Sequence, residues 1–467
     1  MTAHWKSGKS PKWTCNPTKS NPGQPGLLFK FATGNIMNPP KQATETNTYL
    51  LPLIASLTRS ESGKLVAVLT RIFGAHNLTL AEDVVQDVLV KAIEQWSTAG
   101  VPDNPTGWLF TAAKNKAIDT IRRYRRQRTF AADISSLLES EYTAAFTLNT
   151  CFEDEEIQDD QLRMMFACCH PDIAAEGQIA LIMKTLCGFS ISQIAKAFIT
   201  SPDTIEKRLY RARQAFRENN ISLDMPAGRA LQKRLDNVLE TIYLLFNEAY
   251  STSFHESLIR TDLAEDTIRL CTLLVENNAT RLPQTSALLA LLYFHTSRLP
   301  GRTDEHGDLL LMKDQQRDLW DRQMIERGVW YLTNAATGDA MSRYHLEAAI
   351  AYEHCKAMRY RETDWQAILG YYDLLVALVP SQVILLNRAI VIKELEGPAK
   401  ALACIRQIPG IDFLQEYYLL HAILGELNME TGEAKSALLH FEKALSLCVS
   451  DAEKRFLVKK INVIKSM

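Results

Sequence analysis

The chain has 467 residues, of which 46% are hydrophobic and 23% charged, and its formal net charge is -2. This composition is ordinary for a globular protein of roughly three domains. A net charge so close to zero excludes a surface that is basic throughout, so any contact with nucleic acid must be local. Basic residues are dense in two segments, 114–128 and 207–217, whereas acidic residues exceed basic ones beyond residue 229.

No apolar run approaches the ~20 residues that a membrane-spanning helix needs. The N-terminal segment contains lysines but no apolar stretch before a cleavage site, which argues against a secretory signal. The nine cysteines are scattered without a Cys-x-x-Cys pair, which is typical of reduced thiols. We therefore expect a cytoplasmic protein that makes no membrane contact.

Residues 1–45 are rich in Lys, Pro, Ser, Asn, Thr and Gly and have no helical periodicity, which predicts a disordered tail. A helix pair is predicted over residues 50–73. Its inward face consists of Leu65, Val68, Leu69 and Ile72.

The segment from Leu78 to Arg128 combines an apolar helix, a polar loop and a second helix with a basic end. Its first helix carries a polar cluster: Asp83, Gln86 and Asp87. The loop Gly100–Thr106 precedes the second helix, which begins near Trp108 and ends among five arginines. On spacing alone, the polar cluster is more often just the solvated side of an amphipathic helix. The basic end exceeds what a helix dipole needs and suits nucleic acid.

Three motifs in this segment, Asp-Val-Val-Gln-Asp, Trp-Leu-x-x-Ala-x-x-Asn and Asp-x-x-Arg-Arg, resemble region 2 of bacterial RNA polymerase sigma factors of the extracytoplasmic-function (ECF) group. The resemblance implies that the polar cluster docks on the β′ clamp helices of core RNA polymerase. It also implies that the loop captures a base flipped from the promoter -10 element, while arginines hold phosphates. The residues implied in -10 binding are Asn104, Trp108, Asn115, Asp119, Arg122, Arg123 and Arg126. With residues 46–130 as its extent, this is the first predicted domain.

Residues 131–160 have weak periodicity and end in an acidic run: Glu153, Asp154, Glu155, Glu156, Asp159 and Asp160. We interpret this segment as a solvated linker. The alternative is a linker that mimics nucleic-acid charge in a basic channel of the polymerase.

Residues 161–220 predict a second helical unit that ends in a helix-turn-helix. Ser190 and Gln193 have capping-box spacing, and Ser201-Pro202 predicts the start of a basic helix. The motif Ser-Pro-x-Thr-Ile-x-x-Arg-Leu-x-Arg-Ala-Arg is similar to sigma region 4, which recognises the -35 element. The resemblance implies a contact with the polymerase β flap and with promoter DNA. The implied -35 residues are Ser201, Thr204, Lys207, Arg208, Arg211 and Arg213.

Residues 221–467 predict an almost entirely helical extension. Small and aromatic residues recur at roughly 34-residue spacing, similar to tetratricopeptide repeats, as in Gly425, Ala437, Phe441 and Ala444. Such repeats stack into a superhelix with a concave binding face. We expect the acidic extension to contact the basic helices of the two sigma-like units and to regulate them.

No phosphate-binding loop, nucleophile elbow or His-Glu-x-x-His motif is found, so no catalytic residue is predicted. Cys168-Cys169-His170 places ligands too close together for one tetrahedral zinc, so we predict no metal and no cofactor. The sequence thus predicts an all-α sigma factor with a helical-repeat extension. One alternative is a helix-turn-helix regulator with a repeat scaffold that never joins polymerase. A hydrolase in the extension is a third reading, and no residue cluster supports it.

Overall fold

The computed structural model describes residues 41–125, 150–198, 200–251, 257–305, 308–337, 341–448 and 451–466. These residues form α-helices joined by loops and short 3-10 turns. The extended pairing among them is an isolated bridge between Thr303 and Leu309. The predicted all-α class is therefore confirmed. Residues 1–40 of the predicted tail, and the predicted linker up to residue 149, lie outside the described part of the chain.

The helices fall into three groups. The first unit contains α1 (Lys41–Phe73), α2 (Leu78–Ala99) and α3 (Pro105–Arg125). The second unit contains α4 (Asp154–Cys168), α5 (Ala175–Thr185), α6 (Ile191–Ala197) and α7 (Pro202–Glu218). The extension contains α8 (Gly228–Ser251), α9 (Ser257–Glu276), α10 (Pro283–Ser297), α11 (Arg322–Ala335), α12 (Arg343–Lys356), α13 (Trp365–Leu378), α14 (Gln382–Glu396), α15 (Pro398–Arg406), α16 (Tyr418–Glu430), α17 (Ala434–Leu447) and α18 (Asp451–Lys465).

Helix α1 is a single helix of 33 residues, so the predicted helix pair over residues 50–73 is wrong. It begins at Lys41, inside the predicted tail, and continues through Pro52. Its predicted inward face is buried as expected: Leu65, Val68, Leu69 and Ile72. Its apolar face packs against α2 and α3 of its own unit and against α4 and α5 of the second unit.

The acidic run is not a linker at its C-terminal end, because α4 begins at Asp154. Three acidic residues occupy the first turn of α4, where negative charge is favoured by the helix dipole. Arg71 of α1 pairs with Glu156 and, at 3.2 Å, with Asp160. Asp160 is 2% exposed. The acidic residues thus join the second unit to the first, a role that their composition alone does not reveal.

One continuous hydrophobic core extends from Leu50 in α1 to Cys355 in α12. The first unit, the second unit and the first helices of the extension all contribute to it. Helix α1 approaches the second unit so closely that a Cβ added at Gly63 would lie 2.2 Å from the carbonyl oxygen of Leu186. Gly188, with φ of +69°, lies beside Thr58 and Ser62 of the same helix. The two glycines are required because any side chain at either position would push the units apart.

Polar contacts fix α8 of the extension to the second unit. Arg234 donates to the carbonyl oxygen of Phe166 at 2.5 Å, and Asn237 donates to that of Cys169. These carbonyls lie at the C-terminal end of α4, where the carbonyl groups of a helix have no N–H partner within the helix. Gln178 of α5 accepts a hydrogen bond from Thr241 at 2.9 Å.

The later helices of the extension have smaller, separate apolar clusters, each shared by neighbouring helices. This neighbour-to-neighbour packing is typical of helical repeats. In the α16–α17 pair, Gly425 lies against the ring of Phe441, and Ala437 and Ala444 are fully buried. The packing fits the predicted pattern, while assignment to the tetratricopeptide class stays a prediction. Among the residues that the structure describes, no helix is long and apolar enough to cross a membrane.

Asp160 generates a prediction about stability and pH. Burial, opposed by Arg71 and Arg163, raises the pKa of its carboxyl to about 6, and its Oδ2 is buried without a hydrogen-bond partner. Because the folded state binds this proton more tightly than the unfolded state, Asp160 reduces stability as pH rises from about 4 through 6. Asp160→Asn should therefore increase the free energy of unfolding at pH 7.5 by about 1–3 kcal/mol. Chemical unfolding followed by circular dichroism between pH 4.5 and 7.5 measures this gain.

The exposed neighbour offers a control. Asp159→Asn removes a half-exposed charge and should change stability by less than about 0.5 kcal/mol. A loss of stability in Asp160→Asn at pH 7.5 would show that the charged form is the one that the fold needs.

Candidate nucleic-acid interface

The predicted polar cluster lies on the outer side of α2. Asp83, Gln86 and Asp87 are exposed, whereas Val84, Val85 and Val88 are buried. Asp87 forms an exposed ion pair with Lys116 of α3 at 2.8 Å. Such a pair contributes little to stability, so the cluster is available to a partner without loss of the fold.

A shallow cleft separates α2 from α3 at this cluster. Its walls include Asp83, Gln86 and Asp87 from one helix and Lys116 and Arg123 from the other. The structure therefore places Arg123, which was predicted to bind -10 DNA, beside the three residues that were predicted to bind polymerase. Acidic and basic groups share one cleft.

The loop before α3 holds Asn104 at the helix start. Its Oδ1 accepts the Gly107 N–H at 2.8 Å, and its carbonyl accepts the Trp108 N–H at 3.1 Å. Asn104 is thus an exposed N-cap that leads into Pro105. Trp108 packs edge-on against Trp96 with ring centroids 5.3 Å apart. It anchors the loop to the core and is only partly exposed.

The remaining predicted -10 residues of α3 lie along an exposed stripe. Asn115, Asp119 and Arg122 follow one another at helical spacing and are exposed, with Asp119 and Arg122 3.8 Å apart. Arg123 is exposed beside the cleft. Arg126 lies outside the described residues. The stripe presents donors and acceptors from one rigid helix, as a nucleic-acid surface requires.

Two short helices with caps build the helix-turn-helix. Ser190 and Gln193 form the predicted capping box, with hydrogen bonds of 2.9 and 3.2 Å. Ser201 caps α7 by accepting the Thr204 N–H at 3.2 Å, and Pro202 occupies the first turn. Ile205, Leu209, Ala212 and Phe216 form the buried side of α7. The predicted capping box and the predicted start of α7 therefore agree with the structure.

The six predicted -35 residues do not all face solvent. Lys207 and Arg211 are exposed, and Lys207 pairs with Asp203 at 2.7 Å. Ser201 and Thr204 bond to each other across the cap, with their side-chain oxygens 2.9 Å apart. Arg208 is held by Glu176 of α5 at 3.1 Å.

Arg213 faces the first unit. Its guanidinium lies 2.6 Å from Glu82 of α2, and Glu82 is only 5% exposed. Burial raises the pKa of Glu82, and Arg213 with Lys184 opposes that shift. Arg213 is the last residue of the motif that is similar to sigma region 4, and the sequence therefore predicts it as a DNA-binding residue. The residue that gives it another role, Glu82, lies 131 positions away in the chain.

Another junction of charged side chains was missed from the sequence altogether. Arg59 of α1 donates to Asp262 at 2.9 Å and to Asp266 at 2.7 Å, both in α9. Its guanidinium also lies 3.8 Å from the centre of the Phe189 ring in the second unit. Arg269, which pairs with Asp266, donates to the Leu186 carbonyl at 2.8 Å. These six residues, the Arg59 junction, hold all three groups of helices together.

Three segments of the chain match known families. Residues 57–127 match sigma-70 region 2, residues 166–216 match sigma-70 region 4, and residues 234–336 match a family of unknown function, DUF6596. An uncharacterized protein of Rhizobium meliloti (strain 1021) is 34% identical over 383 residues, which are 82% of this chain and 89% of that protein. No solved structure matches the chain.

The helix-turn-helix with an exposed basic side defines a DNA-binding protein. With both regions matched in order, the chain belongs to the sigma-70 family and carries a C-terminal extension. Its matched domains are those of a transcription factor rather than of an enzyme. The family matches fall within the predicted domains 46–130 and 161–220. The DUF6596 match covers the part of the extension before the repeat-like helices.

The Glu82–Arg213 pair generates a prediction about coupling. Arg213→Met leaves a buried carboxylate unpaired and should lower the free energy of unfolding by about 1–3 kcal/mol. In a Glu82→Gln background the same change should cost less, because the group that needed the arginine is then neutral. Chemical unfolding of the four proteins in this double-mutant cycle gives the coupling energy.

Arg211→Met is the matched control, since Arg211 is exposed and makes no ion pair with any described residue. It should alter stability by less than about 0.5 kcal/mol. If the effects of Arg213→Met and Glu82→Gln simply add, the two side chains do not hold the units together.

Proposed function

We propose that this protein is an ECF-type sigma factor that binds core RNA polymerase, recognises -10 and -35 promoter elements, opens the DNA and is regulated by its own extension. The observation that supports the proposal is the ordered pair of sigma regions, each with several of its predicted residues on an exposed helix face, such as Asp83, Asn115 and Lys207. A factor of this kind acts in the cytoplasm, where polymerase and chromosome are found.

The polymerase contact is proposed for the cluster Asp83, Gln86 and Asp87. Its exposure supports a docking role, since exposed charges set specificity and encounter rate. The clamp helices of β′ are the proposed partner of this cluster, and the β flap is the proposed partner of the second unit.

Promoter contacts are proposed for two helices. The N-terminal end of α7, with Ser201, Thr204, Lys207 and Arg211, would enter the major groove at the -35 element. The exposed stripe of α3 and the loop at Asn104 would take the -10 element. Arg208 and Arg213 would contact the DNA only after their ion pairs with Glu176 and Glu82 are broken.

The arrangement of the two units supports a regulatory step. Elements named for positions -10 and -35 are about 25 base pairs apart, which is roughly 85 Å at ~3.4 Å per base pair. Yet an ion pair of 2.6 Å joins α7 directly to α2. A helix of 17 residues spans only about 25 Å. The two units must therefore separate before both elements can be bound together, and we assign the observed arrangement to a closed state.

The extension would control this separation. Helix α9 holds α1 through the Arg59 junction, and α8 holds α4 and α5 through hydrogen bonds. The ion pairs between the extension and the first unit are thus formed by Arg59 on α1. The sequence had led us to expect them at the basic segments 114–128 and 207–217. A charged junction suits a reversible contact because the ions lose little when water replaces their partners.

Polymerase docking is tested by charge reversal. Asp83→Lys combined with Asp87→Lys should weaken binding to core RNA polymerase at least tenfold while helicity and melting temperature are kept, because both side chains are exposed. Fluorescence anisotropy of labelled protein titrated with core enzyme measures the affinity. Glu396→Lys with Asp412→Lys, two exposed charges on the extension, provides the matched control.

The same titration separates the proposal from its alternative. A helix-turn-helix regulator that does not join polymerase would show no saturable binding in the wild type. Wild-type affinity in the double variant would place the docking surface elsewhere.

Opening is tested at the Arg59 junction. Arg59→Glu places a carboxylate beside Asp262 and Asp266 and should release α1 from α9. The expected result is a larger radius of gyration in small-angle scattering and several-fold more promoter-specific run-off transcription with core polymerase. The charge-swapped triple variant Arg59→Glu, Asp262→Arg and Asp266→Arg should restore the wild-type values.

Two outcomes would contradict the closed state. One is an enlarged Arg59→Glu variant that transcribes less than wild type, and the other is an unchanged radius together with unchanged transcription. Circular dichroism of each variant checks that the helices persist.

A further inference from the structure

A cavity of about 1470 Å³ lies along the inner side of the extension. It is lined mainly by residues of α8, α10, α12, α13, α14 and α16 and by the loop between α10 and α11, with further residues from α18 and from α5 and the segment before it. This volume exceeds that of most small-molecule sites, which measure about 300–1,000 Å³. The sigma functions proposed above make no use of it.

Five carboxylates on the cavity wall already have basic partners. Glu240 and Glu347 pair with Arg343, Glu394 and Glu430 pair with Lys393, and Glu426 pairs with Lys460. Their charges are therefore largely compensated within the protein. A cationic ligand would have to compete with these lysines and arginines.

One end of the cavity has the opposite character. Arg298 is only 5% exposed, and its Nη2 donates to the thioether of Met312 at 3.1 Å, a weak acceptor. Its Nε is buried without a hydrogen-bond partner, and no described carboxylate lies within ion-pair distance. The Trp320 ring centre is 5.3 Å from the guanidinium carbon. A buried guanidinium with so few acceptors is costly unless an anion reaches it.

Two histidines on the wall flank this arginine. Burial, with Arg298 and Arg317, lowers the pKa of His354 to about 3, and burial with Arg298 also lowers that of His295. Both rings are therefore neutral near pH 7. Nδ1 of His354 is buried without a hydrogen-bond partner. A neutral imidazole can donate one N–H to an anion while the arginine supplies the charge.

The neighbouring Arg317 has the hydrogen bonds of an arginine with a structural role, and Arg298 lacks them. Arg317 donates to the carbonyls of His354 and Ala357 at 2.8 Å each and to Thr363 Oγ1 at 3.2 Å. These hydrogen bonds fix the C-terminal end of α12 and explain why an arginine is buried at position 317. Arg298 has no comparable set, although it lies on the cavity wall.

The wall beside these groups is apolar and aromatic. Trp365 contacts the ring of His354 with centroids 5.4 Å apart. Further along lie Ile350, Tyr372, Leu375 and Val391. A ligand that places a charged group at Arg298 would therefore lay its remaining atoms against hydrocarbon.

We propose that this cavity binds an amphipathic organic anion, whose charged group pairs with Arg298 and His354 and whose apolar part lies along α12, α13 and α14. The proposal does not depend on the sigma role, because it concerns only binding to the extension.

The test uses the full chain and dodecanoate, with dodecanol as the uncharged probe of equal length and inorganic phosphate as the anion without an apolar part. Isothermal titration calorimetry should show binding of dodecanoate below its micelle concentration. Arg298→Met should weaken that binding roughly ten- to hundredfold, the loss of one charge-assisted contact. Dodecanol and phosphate should each bind at least tenfold more weakly than dodecanoate to the wild type.

The melting temperature of the ligand-free protein distinguishes an arginine that binds a ligand from one that stabilises the fold. Arg298→Met removes no ion pair, so its melting temperature should equal or exceed that of the wild type. Arg388→Met, which removes an arginine paired with Asp373 away from the cavity, is the matched control and should bind dodecanoate normally. The proposal is overturned if dodecanoate binds Arg298→Met as tightly as wild type, if dodecanol binds as tightly as dodecanoate, or if phosphate alone does.

Discussion

The Arg59 junction is the contact on which the arrangement of this protein depends. A single guanidinium in α1 reaches two carboxylates of the extension and one aromatic ring of the second unit. Around it, Gly63 and Gly188 let backbones approach to distances that no other residue permits. The apolar faces of three groups of helices then close into one core. Two DNA-binding units that could be separate domains are thereby held as one body.

Buried carboxylates recur where the first unit meets the other two groups of helices. Glu82, Asp160 and Asp266 are each less than a tenth exposed, and burial raises the pKa of each. Each is paired with an arginine from another helix. Such pairs add little net stability, since desolvation offsets the attraction between the charges. They do specify which surfaces meet.

The proposed ligand cavity and the proposed DNA interface share a residue. Glu176 lines the cavity and also holds Arg208 of α7 at 3.1 Å. Residues of α5 and the segment before it thus lie between the extension and the recognition helix. One carboxylate thus belongs both to the cavity wall and to an ion pair with α7.

The sequence by itself determined the local features of this protein. Helical periodicity, capping residues and motif order predicted α2, α3, α6 and α7, because these depend on residues within a turn or two of each other. The exposed cluster at Asp83 and the cap at Ser201 follow from the same short-range rules. Only the tertiary structure decided how these elements are used. The pairing of Arg213 with Glu82, of Arg71 with Asp160 and of Arg59 with Asp266 joins residues 131, 89 and 207 positions apart. No local pattern encodes such partners, since they are selected by the burial of apolar faces that brings distant helices together.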